Sequence, residues 1–270
     1  MKKLGWAMLG LIALAMPATA ADLPARMPVK ALPIVPVWSW TGFYIGGNIG
    51  YSWGQSKTDA TFTNAATGAV LGTASDKFDL NGVIGGVQLG YNWQTGLWVW
   101  GIETDFQGSG EKGSTNFLCG TTGTTCSPGN TAIPGGTAPV SASFNQKIEW
   151  FGTLRGRVGY TVTPDILFYA TGGLAYGSIK TDGVLTGYNA GGIAVGTGFS
   201  NGTTKAGWTV GAGIEGRVSG NWTVKGEYLY MDLGTASGNA VTVGTLPLIN
   251  LGYNSKITDH ILRVGFNYKF

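Results

Sequence analysis

From Trp40 onward the chain alternates apolar residues with small or polar ones at a period of two. In WTGFYIGGNIGYSWG the apolar set is Phe43, Ile45, Ile49, Tyr51 and Trp53; Tyr44, Gly46, Asn48, Gly50 and Ser52 lie between, small or polar apart from the amphipathic tyrosine. Successive side chains of a strand point to opposite faces, so this rhythm predicts a strand with one greasy side. The same rhythm returns along the chain. Val83, Val87, Leu89, Tyr91 and Trp93 form a second stripe; Trp98, Trp100, Ile102 and Phe106 a third; Ile148, Trp150, Leu154, Val158 and Tyr160 a fourth. In the fifth, DILFYATGGLAYG, both faces are partly apolar, and Ile166, Phe168, Leu174 and Tyr176 are placed outward. Trp208, Val210, Ala212, Ile214 and Val218 make the sixth, Trp222, Val224, Tyr228 and Tyr230 the seventh, and Leu262, Val264, Phe266, Tyr268 and Phe270 the eighth.

The connections decide how these strands are joined. Three are tight, at Gln94 to Leu97, Thr161 to Asp165 and Ser219 to Asn221, each with Gly, Pro or Asn to turn the chain. Four are long and rich in Gly, Thr, Ser and Asn: Gln55 to Lys77, Gly108 to Asn145, Lys180 to Lys205 and Gly234 to Ser255. Strict alternation of long and short predicts an all-β fold, an eight-stranded antiparallel up-and-down transmembrane β-barrel. Its four long loops are expected outside the cell, and its short turns and both termini in the periplasm. The outward aromatics then fall at two levels. Trp98, Trp100, Tyr160, Phe168, Trp222, Tyr268 and Phe270 lie near the periplasmic ends; Trp53, Phe106, Trp150, Tyr176, Trp208 and Tyr230 lie near the outer ends. Two such bands are what the two membrane interfaces select.

Composition agrees with a membrane barrel. Charged residues are 11% of the chain, against about 25% in an ordinary soluble domain, and after the first twenty residues no segment is apolar enough for a transmembrane helix. The opening MKKLGWAMLGLIALAMPATAAD has Lys2 and Lys3 ahead of an apolar run and a small-residue site at Ala18-Thr19-Ala20, the organisation of a cleaved signal peptide over residues 1–20. Residues 21–39 hold four prolines and no periodicity, a periplasmic tail ahead of the barrel at 40–270. With Lys2 and Lys3 set aside from the 17 basic residues, 15 stand against 14 acidic ones, close to balance and without a basic block. That argues against nucleic acid as a partner.

The strand charges collect opposite the greasy face: Glu103, Asp105, Lys147, Glu149, Arg155, Arg157, Glu215, Arg217, Lys225, Glu227, Arg263 and Lys269. An Arg or Lys facing lipid at the midplane costs about 2–4 kcal/mol, so these residues are expected to form a charge network in the lumen. Tight pairing at the third turn would set Glu215 opposite Lys225, and a last hairpin pairing Gly234 with Lys256 would set Glu227 opposite Arg263. The network either fills a closed core or gates a narrow path by exchange of ion-pair partners.

Other chemistry is sparse. GAGIEG at Gly211 to Gly216 fits the G-x-G-x-x-G pattern of dinucleotide sites, but 47 glycines make such matches cheap, and here the alternation continues with no helix following. Its glycines fit bending and close packing in a barrel wall, and no cofactor is expected. Cys119 and Cys126 sit in a Gly/Thr/Ser stretch of an exported chain, where a small loop-closing disulfide is expected; no histidine or carboxylate beside them suggests a metal. The single histidine, His260, falls on an outward stripe near the outer rim, beside Tyr230 and Asp232 in the expected register and close to Ser255 and Thr258. A base and its orienter for lipid-modifying chemistry are conceivable there, but an amphipathic ring at headgroup level is the ordinary reading, and no catalytic residue is assigned.

WTGFYIGGNIGYSWG, YATGGLAYG at Tyr169 to Gly177 and the terminal HILRVGFNYKF resemble the porin-like outer-membrane immunogenic proteins of alphaproteobacteria, the RopB-type group related to the OmpA transmembrane barrel. The resemblance covers residues 40–270 and much of the Pro-rich tail. It implies residence in the cell outer membrane, contact with outer-membrane lipid and lipopolysaccharide, and a terminal signal for the barrel-assembly machinery at Val264, Phe266, Tyr268 and Phe270. The expected function is an envelope role, with or without porin-like passage of very small solutes. The alternatives are a surface adhesin or host- or phage-interaction protein acting through the loops and, more remotely, a lipid-modifying enzyme.

Overall fold

The computed structural model describes residues 38–119, 126–128, 140–189, 191–244 and 248–270; the signal peptide and most of the tail expected at 1–39 lie outside them. The described chain contains β1 (Gly42–Asn64), β2 (Val70–Thr95), β3 (Trp98–Ser109), β4 (Lys112–Cys119), β5 (Cys126–Pro128), β6 (Val140–Thr163), β7 (Ile166–Tyr188), β8 (Ala194–Ser219), β9 (Trp222–Val241) and β10 (Ile249–Lys269). Every pairing is antiparallel. β1 pairs with both β2 and β10, so the sheet closes on itself in the order β1-β10-β9-β8-β7-β6-β3-β2. β3 and β4 run on in one direction against β6, broken only at Gly110 and Glu111, and together form one stave of an eight-stave wall.

Closure leaves no free edge in the hydrocarbon layer, where an unpaired N–H or C=O has no water to bond. The greasy stripes face outward: Leu174 is 61% exposed, whereas Leu167, on the lumen side of the same strand, is fully buried. Outward rings pair at both interfaces. Trp98 and Tyr160 lie 5.4 Å apart and Trp222 and Tyr268 5.1 Å apart at the periplasmic end; Phe106 and Trp150 lie 5.5 Å apart and Trp208 and Tyr230 5.3 Å apart at the outer end. The periplasmic turns are as tight as expected, with Gly96 and Gly220 at φ of 61° and 52°, a region where glycine alone turns freely.

Two expectations need correction. The stretches read as long loops are largely strand: β1 has 23 residues and β8 has 26, against the roughly 9–11 that cross a bilayer, so much of each outer hairpin is an extension of the wall beyond the membrane. The second concerns β6. A bulge between Ile148 and Trp150 inserts one residue, and above it the facing of every side chain is exchanged. Ile148, read as lipid-facing, is therefore buried in the lumen, while Lys147 and Glu149, read as lumen charges, point outward and pair with each other at 3.0 Å.

The bulge makes a direct prediction for intact cells. A membrane-impermeant maleimide should label Lys147→Cys and Glu149→Cys but not Gln146→Cys or Ile148→Cys; the opposite pattern would place the bulge elsewhere.

Candidate functional site in the barrel lumen

The lumen is built from what the outward face rejects. In its periplasmic half, four cations, Arg155, Arg157, Lys225 and Arg263, meet four anions, Glu103, Asp105, Glu215 and Glu227, and all eight are at most 4% exposed. Arg155 holds Glu103, Asp105 at 3.1 Å and Glu227 at 3.0 Å. Arg263 donates to Asp105 at 2.9 Å and to Glu227 at 2.7 Å. Lys225 reaches both oxygens of Glu103 at 2.8 Å, and Arg157 reaches Glu215 at 2.7 Å. The strand ladder sets Glu215 opposite Lys225 and Glu227 opposite Arg263, but Gly234 faces Ile257, because β9 carries one extra residue, Leu233, opposite the step from Ile257 to Thr258.

A neutral shell completes the cluster. The Tyr44 hydroxyl donates to Glu103 at 2.8 Å and accepts from Arg157 at 3.1 Å, and the Tyr169 hydroxyl donates to Glu227 at 3.0 Å. The two rings bracket the Arg157 guanidinium, 5.8 and 4.1 Å from their centroids. A Cβ on Gly213, inside GAGIEG, would lie 2.6 Å from the Tyr169 hydroxyl, so that glycine makes room for the ring. Thr223 and the Asn267 amide donate to Glu215 at 2.6 and 2.8 Å.

The lumen is closed on both sides of this layer. On the periplasmic side Trp40 is 1% exposed, packed with Val99, Leu167 and Tyr169, and its indole N–H donates to the Pro164 carbonyl at 3.1 Å. Trp38 meets Trp40 edge to face at 5.9 Å, with Arg217 and Lys269 over its ring at 5.0 and 4.7 Å. On the outer side comes an apolar layer that includes Leu80, Ile84, Ile148, Phe151, Leu229, Met231, Ile257 and Ile261. Hydroxyls and an amide follow, with Ser56 donating to Gln146 at 2.6 Å and Thr58 bonded to Ser255 at 2.7 Å. Phe62, Phe117, Phe144, Leu185 and Leu251 form a second apolar layer above them.

Of the twelve charges expected inside, eight form this network. Lys147 and Glu149 face outward; Arg217 sits at the periplasmic rim, bonded to Asp165 at 2.7 Å, and Lys269 lies over Trp38. Tyr44 and Tyr169 were missed, although an inward tyrosine breaking a small-residue stripe is a readable signal. His260 accepts from or donates to the Tyr228 hydroxyl at 2.7 Å on the outward face, whereas Asp232 bonds Lys256 at 3.4 Å and the Gly234 amide at 2.7 Å. Histidine and carboxylate are thus engaged separately, and no base-and-orienter pair forms there. Cys119 and Cys126 are directly opposite residues of β4 and β5; their side chains lie outside the described residues. Val264 and Phe266 are exposed on the outer face of β10 and Phe270 is exposed one residue past its end, with Tyr268 packed edge to face on Phe270 at 5.2 Å.

Residues 7–270 match the family model of the outer membrane protein beta-barrel domain. The chain belongs to that family. Within it, the protein is 41% identical over 258 residues to the 31 kDa outer-membrane immunogenic protein of Brucella melitensis, covering 94% of this chain and 93% of that one. It is 31% identical over 200 residues to a 22 kDa outer membrane protein of Rhizobium leguminosarum, covering 74% and 67%. This family member therefore resides in the outer membrane with the immunogenic proteins. Among solved structures, the Pseudomonas aeruginosa outer membrane protein OprG is similar with a TM-score of 0.43 at 11% identity, covering 86% of this chain and 99% of that one.

Removing one partner of a buried ion cluster strands the others, at a cost of about 3–5 kcal/mol, whereas an exposed pair contributes about 0–1 kcal/mol. Glu103→Ala should thus lower the urea midpoint of unfolding from lipid vesicles strongly, and Glu149→Ala hardly at all. Equal midpoints would mean that the lumen cluster contributes no more than a surface pair.

Proposed function

We propose that the protein is a sealed barrel with an envelope role: it braces the outer membrane and carries a stiff platform to the cell surface, with no standing aqueous path through it. The filled lumen is the observation that carries this reading. An ion moving through would have to displace Trp40, separate the buried charges around Glu103 and part the apolar layer of Ile84, Phe151 and Ile261. Partner exchange among the charges, the gate that porin-like passage requires, leaves both apolar closures in place. Eight staves leave an interior about wide enough for side chains, consistent with a packed core rather than a pore.

A second reading, interaction at the cell surface, is favoured by the length of the staves. A wall that continues well past the membrane holds its outermost connections on ladder-bonded strands, and binding segments are commonly presented on such rigid scaffolds. The outward row Val264, Phe266, Tyr268 and Phe270 further supports recognition by the assembly machinery.

Planar-bilayer recording on purified, refolded protein tests the sealed reading. The unmodified chain and Trp40→Ala should both be silent, since Trp40→Ala leaves the inner layers intact. Steady single-channel steps from the unmodified chain would overturn the proposal and restore the porin reading.

A further inference from the structure

Six lysines stand on the outward face of the wall just above the outer aromatic girdle, and the strand register sets them side by side. Lys57 is directly opposite Lys77 on one flank and Lys256 on the other, a row across β2, β1 and β10. Lys147 is directly opposite Lys112 and Lys180, a second row across β4, β6 and β7. Directly opposite residues have Cβ atoms about 4.5–5.5 Å apart, where like charges repel. Such rows are unfavourable in the free wall and become favourable when an anion lies across them.

Neighbouring acids neutralise only part of the belt. Lys147 pairs with Glu149 at 3.0 Å, Lys180 with Asp182 at 4.0 Å and Lys256 with Asp232 at 3.4 Å. Asp59, above Lys57, accepts a hydrogen bond from Ser75, and Asp79 lies one outward step below Lys77. Lys57, Lys77 and Lys112 make no ion pair within 4.0 Å among the described residues.

Depth selects the occupant. Lys57 stands two outward steps above Trp53, Lys256 two above His260 and Lys180 two above Tyr176. With about 3.3 Å rise per residue and a strand tilt near 40°, the belt lies roughly 10 Å above the girdle that marks the edge of the acyl layer. That is the depth of the acidic headgroups of the outer leaflet. Beside Lys112 and Lys147 the wall is indented by a cavity of ≈ 400 Å³, which Ser114, Asn145 and Asp182 also line. An acidic group seated there would meet two ammonium groups together with a hydroxyl and an amide, against one carboxylate, Asp182, that Lys180 pairs at 4.0 Å.

We propose that the two lysine rows bind the phosphate groups of lipopolysaccharide in the outer leaflet, tying the glycolipid to the barrel wall. The test uses the full mature chain in phosphatidylcholine nanodiscs doped with bisphosphorylated lipopolysaccharide, with the bound glycolipid counted by native mass spectrometry. Lys57→Gln/Lys77→Gln/Lys256→Gln and Lys112→Gln/Lys147→Gln/Lys180→Gln should each retain fewer lipopolysaccharide molecules. Combining all six should weaken binding roughly a hundredfold. Heat-modifiable mobility on cold gels identifies variants that fold, and if the sixfold variant does not fold the two triple variants decide. Retention equal to that of the unmodified chain by folded variants overturns the proposal. So does equal binding of the same glycolipid stripped of phosphate. Displacement by millimolar inorganic phosphate, but not by chloride of equal ionic strength, would assign the rows to free phosphate and overturn the lipid assignment.

Discussion

Inside a bilayer no water is available to a peptide N–H or C=O, and each group left unbonded costs several kcal/mol. A sheet meets that demand only by closing, and closure through β1, paired on both sides, is what the rest of this molecule depends on. Once the ladder is complete, side chains have two destinations. The acyl chains accept Leu89, Leu154, Leu174 and Leu262, and the lumen must accommodate whatever lipid will not. The charge cluster is therefore the complement of the greasy wall, and its four-to-four balance leaves the cluster itself without net charge.

Balance does not make the cluster strongly stabilising. Desolvating eight charges is expensive, and buried ion pairs are often no better than apolar residues of the same volume. Its physical consequence is specificity. Each carboxylate is shared: Glu103 among Lys225, Arg155 and Tyr44, and Glu227 among Arg155, Arg263 and Tyr169. A one-residue slip of β3, β6 or β9 would send two of these charges toward lipid, and a slip of β8 or β10 one, at about 2–4 kcal/mol for each Arg or Lys near the midplane. The cluster thus penalises wrong registers more than it rewards the right one, and the Tyr44 and Tyr169 rings around Arg157 fix the positions of the staves that carry them.

Period two made the membrane-embedded half legible from sequence: the eight staves, the aromatic bands, the tight turns and eight of the network charges. The other half was not, for two physical reasons. Above the membrane the outward face meets water, so the greasy stripe that marks a stave disappears, and a Gly/Thr/Ser/Asn strand resembles a loop. β8 from Ala194 to Gly207 has no fully buried side chain at all. A bulge also leaves no compositional mark, and the one at Ile148 and Trp150 exchanged the facing of Lys147, Ile148 and Glu149. The closure by Trp38 and Trp40 was obscured by the proline-rich stretch before it, where periodicity is absent.

Polarity inverts along the wall. In the membrane the outside is apolar and the inside charged; above it, Phe62, Phe117, Phe144 and Leu251 fill the inside while Lys57, Lys77 and Lys147 stand outside. The lower half is built as a membrane barrel and the upper half as a water-soluble one, on the same staves. Three irregularities fall close to the change of solvent: the break at Gly110 and Glu111, the bulge at Ile148 and Trp150, and the bulge at Leu233 of β9 beside Gly234 at φ 73°. Each lets a stave alter its facing or twist where the surroundings alter. An inversion of this kind seats the outer girdle at one depth, because moving the wall inward would bury lysines in acyl chains and moving it outward would expose the greasy stripe. The same constraint that closes the sheet therefore fixes its height in the membrane, and with it the level at which the outer hairpins leave the bilayer.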